Sequence, residues 1–209
     1  MYLADIAVKC PACGAKFNSR QVPVLMDYAI RNSELRQDLQ GQGPQYEPYG
    51  VCTCPGCGKA DWVQKFPATN EEAVLNQPNM TPHLQYRSAA VYAERYGQDF
   101  YEVGMFYLHA AWCADDAGAQ PQAREYRRLS AEAFRRSLTD VSCPVDRRVQ
   151  IEYLIGELYR RAGDFEVAKT HLKQAIPVLT GRYAYMARKL MRLAEMKNTE
   201  AIPFETEGG

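Results

Sequence analysis

The chain is short of three things: charge of one sign, histidine, and long apolar runs. Twenty-five lysines and arginines balance twenty-five aspartates and glutamates, and the balance holds in each half. Net charge therefore supplies no general attraction to nucleic acid or to anionic membranes. No apolar stretch approaches the roughly 18 residues of a membrane span. The opening MYLADIAVKC has neither the basic region nor the apolar core of a secretory leader. A cytoplasmic location, with no membrane as partner, is the expectation. The phosphate-loop pattern G-x-x-x-x-G-K, the dinucleotide turn G-x-G-x-x-G, the H-E-x-x-H helix and the G-x-S-x-G elbow are all absent. The three histidines, His83, His109 and His171, fall in helical stretches with no ligand partner at i+3 or i+4, and read as packed or surface residues. No catalytic constellation emerges, so the expectation is that the protein is not an enzyme.

What the chain does have is cysteine in a repeated pattern. CPACG at Cys10 returns as CPGCG at Cys54. In a reducing compartment such pairs read as metal ligands before they read as disulfides. Two residues between paired cysteines let one tight turn present both sulfurs to one ion, and the following glycine admits the positive φ such a turn requires. Backbone N–H groups of the turn then point at the sulfurs. The predicted ligands of one structural zinc ion are Cys10, Cys13, Cys54 and Cys57. Forty residues separate Cys13 from Cys54, more than the usual 15–20; LMDYAIRNSELRQDLQ between them reads as one short helix, and an inserted helix explains the excess. Loop-closure entropy grows slowly enough to permit it. Cys52 offers a second register with Cys54, but only the Cys54–Cys57 spacing repeats the proline and glycine. Cys52 is then a free thiol or a neighbour of the site. Four thiolates would close the site, against a catalytic metal. A redox dithiol would need a βαβ setting that is not visible here.

From Thr81 onward the pattern is helical. Thr81-Pro82 reads as a cap and first turn, Gly97 as a stop, Asp99 as a restart, and Gly118, Pro121 and Pro144 as further punctuation. Ile151, Leu154, Ile155, Leu158, Tyr159 and Ala162 fall on one helical face. Gly163 is the turn, with Asp164 as the next N-cap. Phe165, Ala168, Leu172, Ala175, Ile176 and Leu179 form a second face, which Pro177 should end or kink. The spacing of Ile155-Gly156, Tyr159, Ala168, Leu172 and Ala175 is that of a tetratricopeptide (TPR) hairpin. YLHAAWCADDAG at 107–118 is a degenerate copy of YLIGELYRRAG at 153–163. The two copies lie 46 residues apart, against a usual period of about 34. A plain helical bundle without a groove fits the same pattern. Trp112, Cys113 and Cys143 read as core residues. Arginines cluster at Arg124, Arg127 and Arg128, at Arg135 and Arg136, at Arg147 and Arg148, and at Arg160 and Arg161. Acidic residues at pairing distances (Glu125, Glu132, Glu152, Glu157) make a salt-bridged face the simpler reading than a phosphate-binding one.

Paired CPxCG knuckles, the approach P-x-Y-x-x-x-x-V-x-x-C to the second, and GELYRRAGDFEVA near the C-terminus together resemble DUF2225, a family of bacterial proteins. The resemblance runs over roughly residues 6–195. It implies a zinc-ribbon-like start, TPR-like helices and four metal-ligand positions matching Cys10, Cys13, Cys54 and Cys57, and it brings no catalytic residues. ELRQDLQGQG between the knuckles also resembles the CpXC domain, a zinc-binding bacterial module. The expected fold is mainly α: a zinc-ribbon-like domain over residues 1–66 with short β-strands and the inserted helix, a linker over 67–80, a TPR-like array over 81–198, and a flexible tail over 199–209. The expected function is a non-enzymatic zinc-binding adaptor. Its helical surface, lined by Tyr153, Gly156, Glu157 and Arg160, would bind a protein or peptide. The alternatives are a nucleic-acid-associated regulator contacting phosphates through the ribbon and arginines, and an enzyme of unknown type.

Overall fold

A computed structural model describes residues 3–22, 30–37, 46–97 and 99–205. The two cysteine pairs each close a β-hairpin. Strand β1 (Ala4–Lys9) pairs antiparallel with β2 (Lys16–Gln21), ending at Lys9↔Lys16 around the first pair. Strand β3 (Val51–Thr53) pairs with β4 (Ala60–Trp62), ending at Thr53↔Ala60 around the second. Between the hairpins lies a small apolar core of Val8, Phe17, Val63 and Phe66 with Cys10, Cys52 and Cys54. The rings of Phe17 and Phe66 meet edge to face at 5.7 Å.

Residues 67–80 are not the linker that composition suggests. Lys9 N–H donates to the Pro67 carbonyl and Thr69 N–H to that of Ala7, each at 2.9 Å. Strand β5 (Leu75–Asn76) then adds to β2 in parallel. The reason is edge satisfaction: β1 and β2 each present unpaired backbone groups, and this stretch pairs them.

Six α-helices follow among the described residues: α1 (Pro82–Arg95), α2 (Phe100–Asp116), α3 (Gln120–Thr139), α4 (Arg148–Ala162), α5 (Phe165–Ala175) and α6 (Gly181–Glu195). Their ends follow the sequence signals. Asp99 accepts the Glu102 N–H at 2.8 Å, and Gly163 closes α4 at φ +89. Two expected caps depart from this: Thr81 precedes α1 with no side-chain bond to the helix, and so does Asp164 before α5. It does not cap α5, because its carboxylate takes the Arg128 guanidinium at 2.6 and 3.0 Å.

The second hairpin is docked on the helices. Val51 and Ala60 join the core of Tyr86, Ala89, Ala93 and Phe106. Trp62 stacks on Phe106 at 4.6 Å and donates to Glu102 at 2.5 Å. The Tyr86 hydroxyl reaches the Glu47 carbonyl at 2.7 Å, close enough to Gly50 that a Cβ there would lie 2.2 Å from the hydroxyl.

The predicted inserted helix is overturned over residues 30–37, and the rest of LMDYAIRNSELRQDLQ lies outside the described residues. Asn32 is the cause. Its carboxamide oxygen accepts the N–H groups of Glu34 at 2.9 Å and Arg36 at 3.1 Å, Arg31 pairs with Gln37, and Leu35 takes φ +62. A short polar side chain that binds the backbone two and four residues on competes with the helix ladder and here wins.

Close helix packing depends on two glycines. A Cβ on Gly156 would lie 2.4 Å from Leu172, and one on Gly104 would lie 2.4 Å from the buried Phe134 ring. An aromatic ring held on all sides cannot yield as a leucine tip can. Gly104→Ala should therefore destabilise the protein by a net ~1–2 kcal/mol, overpacking outweighing the helix-propensity gain of ~1 kcal/mol. A urea melt with an unchanged m-value and a lower midpoint is the expected outcome.

Candidate metal centre and the groove along α4

The two cysteine turns are near copies in three dimensions. In the first, Gly14 N–H donates to the Cys10 carbonyl at 2.9 Å, and Cys10 N–H to that of Ala15 at 2.8 Å. In the second, Gly58 N–H donates to the Cys54 carbonyl at 3.0 Å, and Cys54 N–H to that of Lys59 at 2.8 Å. Gly14 and Gly58 have φ of +77 and +74, a left-handed bend that a side chain would strain. The turns face each other so that the Sγ atoms of Cys10, Cys13, Cys54 and Cys57 all lie within 4.8 Å of one another. Cys10 and Cys57 are 3.7 Å apart, and Cys13 and Cys54 3.6 Å. A tetrahedral site with metal–sulfur bonds of about 2.3 Å has edges of about 3.8 Å, so the four sulfurs can hold a metal ion. Both short contacts cross from one hairpin to the other, so the ion would join the hairpins. All four cysteines are free, and the spacing is far from the ~2.0 Å of a disulfide.

Backbone N–H groups are aimed at the sulfurs. The Ala15 N–H, and after it Cys57, lower the Cys13 thiol. Burial pushes Cys54 up to about 12, against the opposing N–H groups of Cys57 and Gly56. Burial also raises Cys57. Packed thiols of this kind resist joint ionisation, and a cation among them is what would hold four thiolates together. Cys52 does not enter the cluster. It is wholly buried in the core between the hairpins, where burial pushes its thiol up to about 12. Among the described residues no carboxylate or histidine joins the four sulfurs. The histidines sit elsewhere: His109, pushed down to about 3 by burial and then by Arg36, packs among Trp62, Tyr86 and Trp112. In the metal-free protein, iodoacetamide at neutral pH should label Cys13 first and the buried Cys52, Cys54 and Cys113 last, because reactivity follows thiolate fraction and exposure. Peptide mass mapping against time reads the order.

The four residues expected to face a partner are inside the protein. Tyr153, Glu157 and Arg160 have 0% exposure, and Gly156 is closed off by Leu172. The reason is that the chain fills its own groove. The Tyr153 hydroxyl donates to the Ser33 carbonyl at 2.8 Å. Arg160 holds Glu157 at 2.7 and 2.8 Å, and donates to the carbonyls of Asn198 at 2.5 Å and Glu200 at 2.8 Å. Residues 199–205, expected as a flexible tail, are therefore packed against α4 and α6, with Phe204 against Tyr153 and Tyr183 at 5.5 Å each. Residues 206–209 lie outside the described residues.

The other half of the filling is the segment at residues 30–37, and charge seats it. Glu34, fully buried, accepts from Arg127 at 2.6 and 2.9 Å and from Arg161 at 2.8 Å. Asp115 completes the set by pairing with both arginines. Arg36 bonds Glu47 at 3.3 Å and Asp116 at 2.6 Å. Sequence reasoning missed Glu34, Arg36 and Phe204. Their partners lie far off in sequence, Arg161 being 127 residues from Glu34, and no local pattern signals such pairs. The exposed arginines pair mostly with near neighbours, as the charge pattern predicts: Arg135 and Arg136 with Glu132 and Arg147 with Asp146, while Arg128 reaches Asp164 on the next hairpin.

Burial opposes ionisation of Glu34, but Arg127 and Arg161 outweigh it and hold the carboxyl down at about 2, against an ordinary 4.5. A depressed carboxylate stabilises the fold above its unfolded pKa and loses that effect as pH falls toward its folded one. About 3 kcal/mol should therefore drain away between pH 4.5 and 2. Glu34→Gln should cost a similar ~3 kcal/mol at neutral pH, because buried guanidinium charge loses its partner, and should flatten this acid limb. Urea melts of both proteins across that pH range check the pair of expectations.

The family model described as an uncharacterized protein conserved in bacteria (DUF2225) matches residues 83–197. The match spans α1 to α6 and leaves the cysteine hairpins outside, a shorter span than the residues 6–195 over which the sequence resembles the family. No curated protein matches the chain, and no solved structure does. On the helical half, which makes up more than half of its length, the chain belongs to the DUF2225 family.

Proposed function

We propose that the protein is a non-enzymatic, cytoplasmic adaptor whose N-terminal hairpins form a zinc ribbon around one structural Zn²⁺. Cys10, Cys13, Cys54 and Cys57 are its ligands. The observation that carries the reading is the set of four sulfurs within 4.8 Å of one another, with Cys10–Cys57 at 3.7 Å and Cys13–Cys54 at 3.6 Å. All-thiolate, four-coordinate binding is the pattern of structural zinc and leaves no open position for substrate. The ion supplies what the small core between the hairpins cannot, a link that stabilises the folded hairpins. The helices then offer surface for a protein partner, in the manner of stacked helical hairpins. No helix among the described residues is long and apolar enough to cross a membrane.

The reading in which arginines contact nucleic acid has less support. Arg127, Arg160 and Arg161 are turned inward onto Glu34, Glu157 and Asp115. The exposed Arg128, Arg135, Arg136 and Arg147 each pair with a carboxylate.

Elemental analysis of protein purified without chelator should find one zinc per chain. Cys10→Ser with Cys57→Ser should abolish it and lower the thermal midpoint. A folded, metal-free wild-type protein would sink the ribbon. For the adaptor half of the reading, the tagged chain should retain a stoichiometric protein from its own host at moderate salt. Nucleic acid released by raising the salt would favour the other reading.

A further inference from the structure

The C-terminal segment is held in a way that differs from the rest of the protein. Apart from the exposed Lys189–Glu205 ion pair at 2.8 Å, the hydrogen bonds that seat residues 198–205 on the groove involve that segment's backbone. Ser33 N–H donates to the Ile202 carbonyl at 2.7 Å, Ile202 N–H to the Ser33 hydroxyl at 3.1 Å, and Phe204 N–H to the Arg31 carbonyl at 2.8 Å. Arg160 takes the carbonyls of Asn198 and Glu200, and Arg161 that of Thr199 at 3.0 Å. Side chains alternate as on a strand: Ile202 and Phe204 are half-buried, while Ala201, Pro203 and Glu205 are exposed. Phe204 fills a slot between Tyr153 and Tyr183, with the Arg182 guanidinium 5.3 Å from its ring.

The receptor is complete without this segment. None of residues 198–205 is fully buried, whereas Tyr153, Glu157 and Arg160 beneath them are. If the segment leaves, Arg160 keeps both bonds to Glu157, Arg161 keeps Glu34 and Asp115, and Tyr153 keeps Ser33. No buried charge is orphaned, so the large penalty of breaking a buried pair does not arise. The segment at residues 30–37, by contrast, is pinned by Glu34 and Arg36 and stays.

We propose that this groove is the partner-binding site, that residues 198–205 are its resident and displaceable occupant, and that the partner supplies an extended segment with an aliphatic side chain followed two positions later by an aromatic one. The proposal rests on the adaptor reading and names where and how the partner binds. Backbone-directed bonds give affinity for any extended chain, and the Ile202 and Phe204 positions give selectivity, the logic of strand addition. A resident occupant lowers the apparent affinity of a partner by the fraction of time the groove is closed.

The test uses the full chain and a fluorescein-labelled peptide, NTEAIPFE, the sequence of residues 198–205. Fluorescence anisotropy should find that the Phe204→Ala protein, its slot vacated, binds the peptide about tenfold or more tighter than wild type does. A peptide carrying the same substitution should not bind. Hydrogen exchange on the wild-type chain should find the Ile202 and Phe204 amides exchanging ahead of those in α4, as a detachable segment requires. A folded Phe204→Ala protein with no gain in peptide affinity overturns the proposal. So does exchange of those amides together with α4, and so does a Phe204→Ala protein that fails to fold, since each makes the segment an integral part of the core. A host protein captured equally by wild-type and Phe204→Ala chains would overturn this site and leave the adaptor reading standing. Peptide binding with no captured partner would do the reverse.

Discussion

Glu34 carries a negative charge into a place closed to solvent, and two guanidiniums from different helices meet it there. Arg127 comes from α3 and Arg161 from the end of α4. Such a charge is tolerable only if it is paired and hydrogen-bonded. Here the pairing also fixes geometry, since both oxygens are used and Asp115 balances the second guanidinium charge. The segment that carries Glu34 belongs in sequence to the cysteine-bearing half. Seating it among the helices ties that half to the array at one end of the insertion. Trp62, Tyr86 and the β3–β4 hairpin tie it at the other.

The rest of the arrangement follows from that seating. With residues 30–37 lying along α4, Ser33 offers a hydroxyl, a carbonyl and an N–H at the edge of the groove. Tyr153 takes the carbonyl, and the C-terminal segment takes the other two. The groove that repeated helical hairpins would leave open is thereby floored by one piece of the chain and roofed by another. The four-cysteine cluster stands apart from it. A metal ion held there would join two hairpins whose shared core is small, and the sulfurs are arranged by turns that the backbone of each knuckle closes on its own.

This separation explains what could be read from residues alone. The cysteine turns are local: proline, glycine and two-residue spacing dictate them, and the pairing of Cys54 with Cys57 over Cys52 follows from the repeated pattern. The helix ends are local too, at Asp99, Gly163 and the glycine–proline punctuation. Asp164 fails as a cap only because Arg128 arrives from another helix. The expected helix fails over residues 30–37 for a local reason that was available, Asn32, whose side chain holds the N–H groups of Glu34 and Arg36. Residues 67–80 look like a linker by composition, yet Pro67 and Thr69 bond β1 and Leu75–Asn76 adds to β2, because both strands have backbone groups to satisfy.

Tyr153, Gly156, Glu157 and Arg160 mark the division. Their spacing placed them correctly on one helix and near a groove, since periodicity is a property of the helix itself. Whether that groove is open is not, because what fills it comes from more than a hundred residues upstream and from the C-terminal segment. Sequence by itself determined the two cysteine turns, the helices and the faces that pack, each of which is set by neighbours a few residues apart. Only the tertiary structure decided that the four sulfurs converge and that Arg127, Arg160 and Arg161 turn inward. It alone decided that the chain covers its own groove, because buried charge and unpaired backbone find their partners by proximity in space.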